Sequence, residues 1–196
     1  MDIFLIHGAF STRSSWSVHE KEIEKFGNIH YFEYDIQDEA MESIISRCAI
    51  ETSNAKDVVL IGHSFGGVIA SVLAGSISHS GKACKVITLS SPLGGIKLPT
   101  IARFFNPFST FYSNVSHTSP FFRNLRTHGL AVPTYGIITM AGNMPLINEP
   151  NDGVVTISSQ LAFVDDHNFN FSPVQMNHFE VLMSSDVTNL ITRRLV

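Results

Sequence analysis

The chain has 196 residues, a length that is enough for one domain with a full core. Its net charge is −4, and 44% of the residues are hydrophobic and 15% are charged. The acidic balance leaves no basic stripe of the kind that nucleic-acid binding requires, so we expect no nucleic-acid partner. The start, MDIFLIHGAF, lacks the positive residues and the longer apolar run of a signal peptide, and no stretch reaches the roughly 18 apolar residues of a membrane span, so we expect a soluble, cytoplasmic protein.

Apolar runs of strand length alternate with amphipathic segments of helix length along most of the chain. The predicted strands are Ile3–Ile6, His30–Tyr34, Asp57–Ile61, Val86–Ser90, Pro133–Ala141 and a run between Phe169 and Met176. The predicted helices are Trp16–Phe26, Asp38–Thr52, Phe65–Ile77 and Asn177–Val196. The third strand is continuously apolar, which is typical of parallel strands that are covered on both faces. The pattern predicts a single α/β domain over residues 1–196, with a mainly parallel sheet of about six strands and helices on both faces.

A serine stands at the junction of the third predicted strand and the helix that follows it. The junction reads Gly62-His63-Ser64-Phe65-Gly66. A sharp turn from strand to helix forces the central residue into a strained backbone conformation, and the residues two before and two after it must then lack a Cβ. The turn lifts the hydroxyl over the carboxyl ends of the strands, where α/β proteins bind ligands. We therefore predict that Ser64 is a nucleophile; the alternative is a plain turn serine.

Nine histidines compete for the role of the base that a nucleophilic serine needs. Where this motif joins a strand of a parallel α/β sheet to the helix that follows, the acid and then the histidine come after the serine along the chain. Only His167 and His178 lie late enough to follow an acid from the last strands. His178 comes after the sixth predicted strand, in NHFEVL, and a loop at the carboxyl end of a strand is where the base is expected. We predict that His178 is the base and interpret His167 as a polar loop residue.

The same chain order leaves acid candidates in two loops. Asp152 follows the fifth predicted strand in the sequence NDGVV, where Gly153 permits a tight turn that directs the carboxylate inward. The alternative is that Asn-Asp-Gly is only turn chemistry. Asp165 lies one segment later and is the reserve candidate. The predicted triad is therefore Ser64, Asp152 and His178.

Two backbone amides are expected to stabilise the oxyanion that forms in the transition state. One belongs to Phe65, at the N-terminus of the predicted helix, where the helix dipole adds partial positive charge. The second comes from the loop after the first strand, which reads His7-Gly8-Ala9-Phe10. Gly8 allows the backbone to approach closely, and Ala9 is the predicted donor. We interpret His7 as a structural residue that holds this loop.

Three segments, IHGAF, GHSFGG and NDGVV followed by NH, occur in the order found in the α/β-hydrolase superfamily, and the chain resembles its lipase/esterase-like members over residues 2–194. The resemblance implies the α/β-hydrolase fold and the serine triad. It leaves the substrate open, because the superfamily hosts esterases, lipases, thioesterases, peptidases and acyltransferases. The first strand starts at residue 3, as in the minimal, roughly six-stranded forms of small bacterial lipases. Thr156 stands where lipase-like sequences often carry a proline.

One segment, from Leu93 to about Leu130, interrupts the alternation of strands and helices. In the family that the chain resembles, a segment at this position forms a cap over the active site. Six phenylalanines lie in it: Phe104, Phe105, Phe108, Phe111, Phe121 and Phe122. These rings could line an acyl pocket, or they could form the ordinary core of a small helical cap. We predict a cap or lid at about 93–130 with a lid helix at Ile101–Phe111, and the first four of these rings, together with Phe10, as substrate contacts.

Together these residues predict a serine hydrolase that cleaves carboxylic esters through an acyl-enzyme and acts on a small ester with an apolar acyl group. The same triad could serve an acyltransferase or a thioesterase, and a non-catalytic lipid-binding or interaction module is a further alternative. The cap could also make transient contact with a lipid surface. No metal or organic cofactor is expected, because triad chemistry needs none and no ligand-type spacing surrounds Cys48 or Cys84.

Overall fold

The computed structural model of the protein describes residues 1–96, 114–145 and 148–196. In these residues the strands are β1 (Asp2–Ile6), β2 (Asn28–Phe32), β3 (Asp57–His63), β4 (Ala83–Leu89), β5 (Thr134–Thr139) and β6 (Phe169–Val174). The α-helices are α1 (Ser17–Ile23), α2 (Met41–Glu51), α3 (Phe65–His79), α4 (Pro120–His128), α5 (Ile157–Gln160) and α6 (Ser185–Thr192). Short 3-10 helices cover Arg13–Trp16 and Glu180–Met183.

The six strands form one sheet in the order β2-β1-β3-β4-β5-β6, and every pair of neighbours is parallel. The prediction of a six-stranded α/β sheet is confirmed, and the described sheet is wholly rather than mainly parallel. Strand β3 is central, and its last residue, His63, pairs with Leu89 at the end of β4. Because parallel strands all end at the same edge of a sheet, the loops after β1, β3, β5 and β6 meet there.

Helices cover both faces of the sheet, as predicted. On one face, Phe4, Leu60 and Val86 pack in a single core with residues of α2 and α3. On the other face, Leu5, Ile61 and Ile87 pack with residues of α1 and α6. Alternate residues of each central strand thus enter different cores, which explains why β3 is apolar at successive positions.

The predicted C-terminal helix Asn177–Val196 is wrong as a single element. The segment contains the 3-10 helix Glu180–Met183 and the separate helix α6. The break lies at Ser184, whose backbone is extended (φ −100°, ψ 126°) and whose hydroxyl accepts a hydrogen bond from the Val187 N–H as an N-cap. Serine is a preferred N-cap residue, so Ser184 was a signal for the start of a new helix inside the segment that was predicted as one helix.

Other elements also differ from the prediction, and helix α5 was not predicted. Strand β2 ends at Phe32, whereas Tyr34 was expected in it. Helix α4 lies within the segment that showed no clean periodicity, although Ser119 as N-cap and Pro120 in the first turn are helix-start signals. The predicted lid helix Ile101–Phe111 lies outside the described residues.

A buried histidine joins α1 to the C-terminal elements. The His19 ring is fully buried, with Nδ1 2.7 Å from Thr188 Oγ1 and Nε2 3.2 Å from the Val181 carbonyl oxygen. Because a carbonyl only accepts, Nε2 carries the proton and Nδ1 accepts from the Thr188 hydroxyl. Burial lowers the pKa of His19 to about 4, and the opposing effect of the Val181 hydrogen bond is smaller.

This pKa makes the stability of the fold depend on pH. The unfolded chain protonates His19 near its ordinary pKa of 6.5, whereas the folded protein does so only near 4, so the free energy of unfolding falls as the pH falls through this window. Between pH 7.5 and pH 5.0 we expect this histidine to contribute a loss of about 2 kcal/mol. Urea unfolding of the wild type and His19→Gln at both pH values measures the contribution. An equal pH dependence in the two proteins would contradict it.

Candidate active site

Ser64 lies on the turn between β3 and α3. Its backbone is strained, with φ 53° and ψ −124° in a residue that has a side chain. A Cβ at Gly62 would strike the backbone of Gly66, and a Cβ at Gly66 would strike the carbonyl oxygens of Ile6 and His7. Gly62 is therefore required by the turn itself, and Gly66 by the packing of the turn against the end of β1.

The two other predicted triad residues form a buried pair. Asp152 lies in the loop between β5 and α5, and His178 lies in the loop after β6. His178 Nδ1 is 2.9 Å from Asp152 Oδ2, and the side chains are 3% and 0% exposed. The His178 N–H also donates to the Asp152 carbonyl oxygen at 3.0 Å. A carboxylate can only accept, so Nδ1 carries the proton, and in the neutral ring the lone pair lies on Nε2.

The Asp152 carboxylate accepts hydrogen bonds on both oxygens. Oδ1 lies 3.0 Å from the Val154 N–H nitrogen and 2.7 Å from that of Val155. Besides the bond to His178, Oδ2 accepts hydrogen bonds from the Thr139 hydroxyl at 2.6 Å and from the Gln160 side-chain amide at 3.3 Å. Burial alone would raise the pKa of this carboxyl. The hydrogen bonds and the nearby imidazole outweigh burial and hold the pKa below its ordinary value of 3.8, so Asp152 stays ionised.

Sequence reasoning missed two fully buried polar residues beneath the acid, Thr139 and Gln160. The Gln160 amide pairs with the backbone of Thr139: its Oε1 accepts from the N–H at 3.0 Å and its Nε2 donates to the carbonyl at 3.1 Å. The same Nε2 lies 3.3 Å from Asp152 Oδ2. Thr139 ends β5 and could have been found as a polar residue at a carboxyl strand end, whereas Gln160 carries no signal in the sequence.

One cavity of about 520 Å³ connects the predicted groups. Ser64, His178 and the two predicted oxyanion donors, Ala9 and Phe65, all line it. Phe10 also lines it, with φ 59° and 53% of its surface exposed. The other predicted substrate contacts, Phe104, Phe105, Phe108 and Phe111, lie outside the described residues, so the Phe-rich cap stays a prediction.

His7 and Tyr34 hold the loop that carries Ala9. The His7 Nδ1 lies 2.8 Å from the Gly8 carbonyl oxygen, and Nε2 accepts from the Tyr34 N–H at 3.4 Å. The Tyr34 hydroxyl donates to the His7 carbonyl at 2.9 Å, and the two rings are stacked with centroids 4.5 Å apart. Both ring nitrogens of His7 are therefore engaged in structural hydrogen bonds, which agrees with a structural role for this residue rather than that of the base.

The rival candidates lie apart from this arrangement. The His167 side chain is 90% exposed, with Nδ1 3.5 Å from Asp166 Oδ1. Asp165 is exposed in the same loop, and neither residue lines the cavity. Within residues 1–96, 114–145 and 148–196, no three His, Cys, Asp or Glu side chains are grouped as metal ligands would be. No helix in that part of the chain is long and apolar enough to cross a membrane.

The sequence of the chain matches the model of one known protein family. The sequence model of the PGAP1-like alpha/beta domain matches residues 19–137. No curated protein sequence matches the chain significantly.

Solved structures resemble the fold over its whole length. The lipase BlEst2 of Bacillus licheniformis is 14% identical, with a TM-score of 0.73 over 100% of this chain and 91% of that one. A pyrethroid hydrolase of Sphingobium faniae JZ-2 is 16% identical, with a TM-score of 0.71 over 100% and 97%. The RedJ thioesterase of Streptomyces coelicolor is 13% identical, with a TM-score of 0.63 over 100% and 89%. The predicted α/β-hydrolase fold is thereby confirmed.

Proposed function

The chain belongs to the family of PGAP1-like alpha/beta domains, and from this premise and the geometry above we propose that it is a serine hydrolase that cleaves carboxylic esters. One observation carries the proposal: a strained serine and a buried, hydrogen-bonded His–Asp pair line and support the same cavity. A plain turn serine needs neither the strained backbone nor a buried carboxylate beside a histidine.

The proposed mechanism uses each group in one role. The Ser64 Oγ attacks the acyl carbon while His178 Nε2 takes its proton, and the amides of Ala9 and Phe65 stabilise the oxyanion. The bond to the leaving alcohol breaks as His178 returns that proton to the alcohol oxygen. Water then attacks the acyl-enzyme, giving a proton to His178, and the acid leaves as Ser64 regains its proton. Asp152 holds the imidazole in the required tautomer and stabilises its cation.

The cavity supports an apolar acyl group. Its described lining includes Ile96, Val115, Val155 and Leu182 and contains no Lys, Arg, Asp or Glu. Burying an unpaired charge there would be costly, whereas each buried methylene contributes about 0.8 kcal/mol. Among the structurally similar proteins are a lipase, a pyrethroid hydrolase and a thioesterase, and a fold of this kind permits each of these chemistries.

A panel of p-nitrophenyl esters tests the proposal. We expect kcat/KM to rise by about fourfold for each added methylene from acetate upward, until the acyl chain fills the cavity. The succinate monoester, whose acyl group has four carbons like butyrate and ends in a carboxylate, should react at least tenfold more slowly than the butyrate ester. Stopped assays at pH 8, with initial rates corrected for spontaneous hydrolysis, give both ratios.

A preparation of Ser64→Ala, purified in the same way, controls for contaminating esterases and should be inactive on the whole panel. Equal rates for the two preparations would contradict the proposal and favour a non-catalytic module. Acyl-CoA substrates, and alcohols added as acceptors, separate the two related enzyme alternatives. Faster turnover of thioesters would indicate a thioesterase, and ester products would indicate acyl transfer.

A further inference from the structure

His63 is a buried polar residue beside the reacting groups that the mechanism above does not use. It directly precedes Ser64, lines the same cavity and is 3% exposed. Its ring centroid lies 4.9 Å from that of His178, with the two planes tilted by 52°. Burial, reinforced by the nearby His178, lowers the pKa of His63 to about 3, so the ring is neutral at ordinary pH.

The Nε2 edge of this ring holds the backbone of the base. Nε2 lies 2.9 Å from the His178 carbonyl oxygen, and since a carbonyl only accepts, Nε2 is the protonated nitrogen. The N–H of His178 donates to the Asp152 carbonyl at the same time. The backbone of the base is therefore held on one side by the acid and on the other by the residue before the nucleophile.

The Nδ1 edge faces the loop after β1. A Cβ built on Gly8 would lie 2.9 Å from His63 Nδ1 and 3.1 Å from Ser64 Cβ, so the ring packs directly on the backbone at Gly8. Nδ1 is buried and has no hydrogen-bond partner among the described residues. Gly8 precedes Ala9, the predicted oxyanion donor. We call the loop after β6, which carries His178, the base loop, and the loop after β1, which carries Ala9, the oxyanion loop. One edge of the His63 ring thus contacts the base loop, and the other edge contacts the oxyanion loop.

We propose that His63 is a positioning residue that sets the spacing of the base loop and the oxyanion loop around Ser64, through its hydrogen bond to the His178 carbonyl and its contact with Gly8. This role rests on the serine mechanism proposed above. His178 must meet the Ser64 hydroxyl and later the leaving oxygen, while the amide of Ala9 must meet the oxyanion. A shift of about 1 Å in such groups costs about a hundredfold in rate.

The matched variants His63→Gln and His63→Met test the role. The two side chains have similar length and volume, but only glutamine can donate a hydrogen bond to the His178 carbonyl. We expect kcat for a butyrate ester to be about tenfold to a hundredfold lower in His63→Met than in His63→Gln. KM should differ by less than about threefold, because the cavity lining other than residue 63 is the same in both variants. Rates are expressed per active site, counted by exhaustive fluorophosphonate labelling, so that unfolded molecules do not contribute.

Equal kcat values in the two variants, with an effect on melting temperature alone, would show a purely structural role and overturn the proposal. If His63→Met does not fold, nitrogen-15 NMR of the wild-type imidazoles decides instead. Protonation of His63 at Nε2 supports the proposal, and protonation at Nδ1 overturns it. A wild-type protein that fluorophosphonate does not label contradicts the serine mechanism itself, whereas a labelled wild type with equal variants contradicts only the role of His63.

Discussion

Replacing His178 by alanine is expected to lower kcat for ester hydrolysis by about 10⁴-fold to 10⁶-fold. Without the imidazole, the Ser64 proton has no assigned acceptor among the described residues that line the cavity, and the leaving alcohol receives no proton in return. The residual rate would come from the oxyanion donors and from substrate binding. Steady-state kinetics on the best ester of the panel measure the loss, and the rate of fluorophosphonate labelling at Ser64 should fall with it.

His167→Ala is the matched control, because this histidine is the other one late enough in the chain and its side chain is exposed. Its kcat should stay within about twofold of the wild type, since exposed substitutions change little. Urea unfolding of His178→Ala is needed as well, because the variant leaves the Asp152 carboxylate buried without one of its partners. A His178→Ala protein that folds and keeps its activity within tenfold of the wild type would contradict the assignment of the base.

Replacing Asp152 by asparagine is expected to lower kcat by about 10⁴-fold. The carboxylate accepts hydrogen bonds on both oxygens, from His178 and Thr139 on one and from backbone N–H groups on the other. An amide has only one accepting end, so its NH₂ group must face a donor in either orientation. If it faces His178, the ring turns to the tautomer with the proton on Nε2, which cannot accept a proton from Ser64.

The same mismatch predicts a stability cost of about 1–3 kcal/mol for Asp152→Asn, because buried donors lose their acceptor. Denaturant unfolding measures this cost, and kinetics below the onset of unfolding measure kcat. Asp165→Asn, in an exposed loop, is the matched control and should behave like the wild type in both assays. A loss of kcat smaller than tenfold in folded Asp152→Asn would assign the acid elsewhere.

Local steric requirements explain which parts of the site could be predicted. The turn at Ser64 needs space at the two glycines that flank it, and a strand covered on both faces needs continuous apolar residues. Such needs restrict the residue types at neighbouring positions, so they are visible in a single sequence, although a Cβ at Gly66 would strike the end of β1. The C-terminal helix was predicted wrongly for a related reason: an apolar pattern at helical spacing does not show that Ser184 starts a new helix.

The support of the acid could not be predicted, because it depends on residues far apart in the chain. Gln160 lies 21 residues from Thr139, and its amide pairs with the Thr139 backbone only because α5 lies against β5. The contact between His63 and the His178 carbonyl spans 115 residues. Neither partner carries a local pattern that identifies the other.

The sequence by itself determined the parallel α/β sheet, the strained turn at Ser64, and the short list of acids and bases in their chain order. Only the tertiary structure decided which of them meet: it buries Asp152 against His178, leaves His167 exposed, and places His63 between two loops. The physical reason is that backbone sterics and strand burial restrict the residue types at a few neighbouring positions. Hydrogen bonds between loops exist only once the parallel sheet has brought its carboxyl ends to one edge.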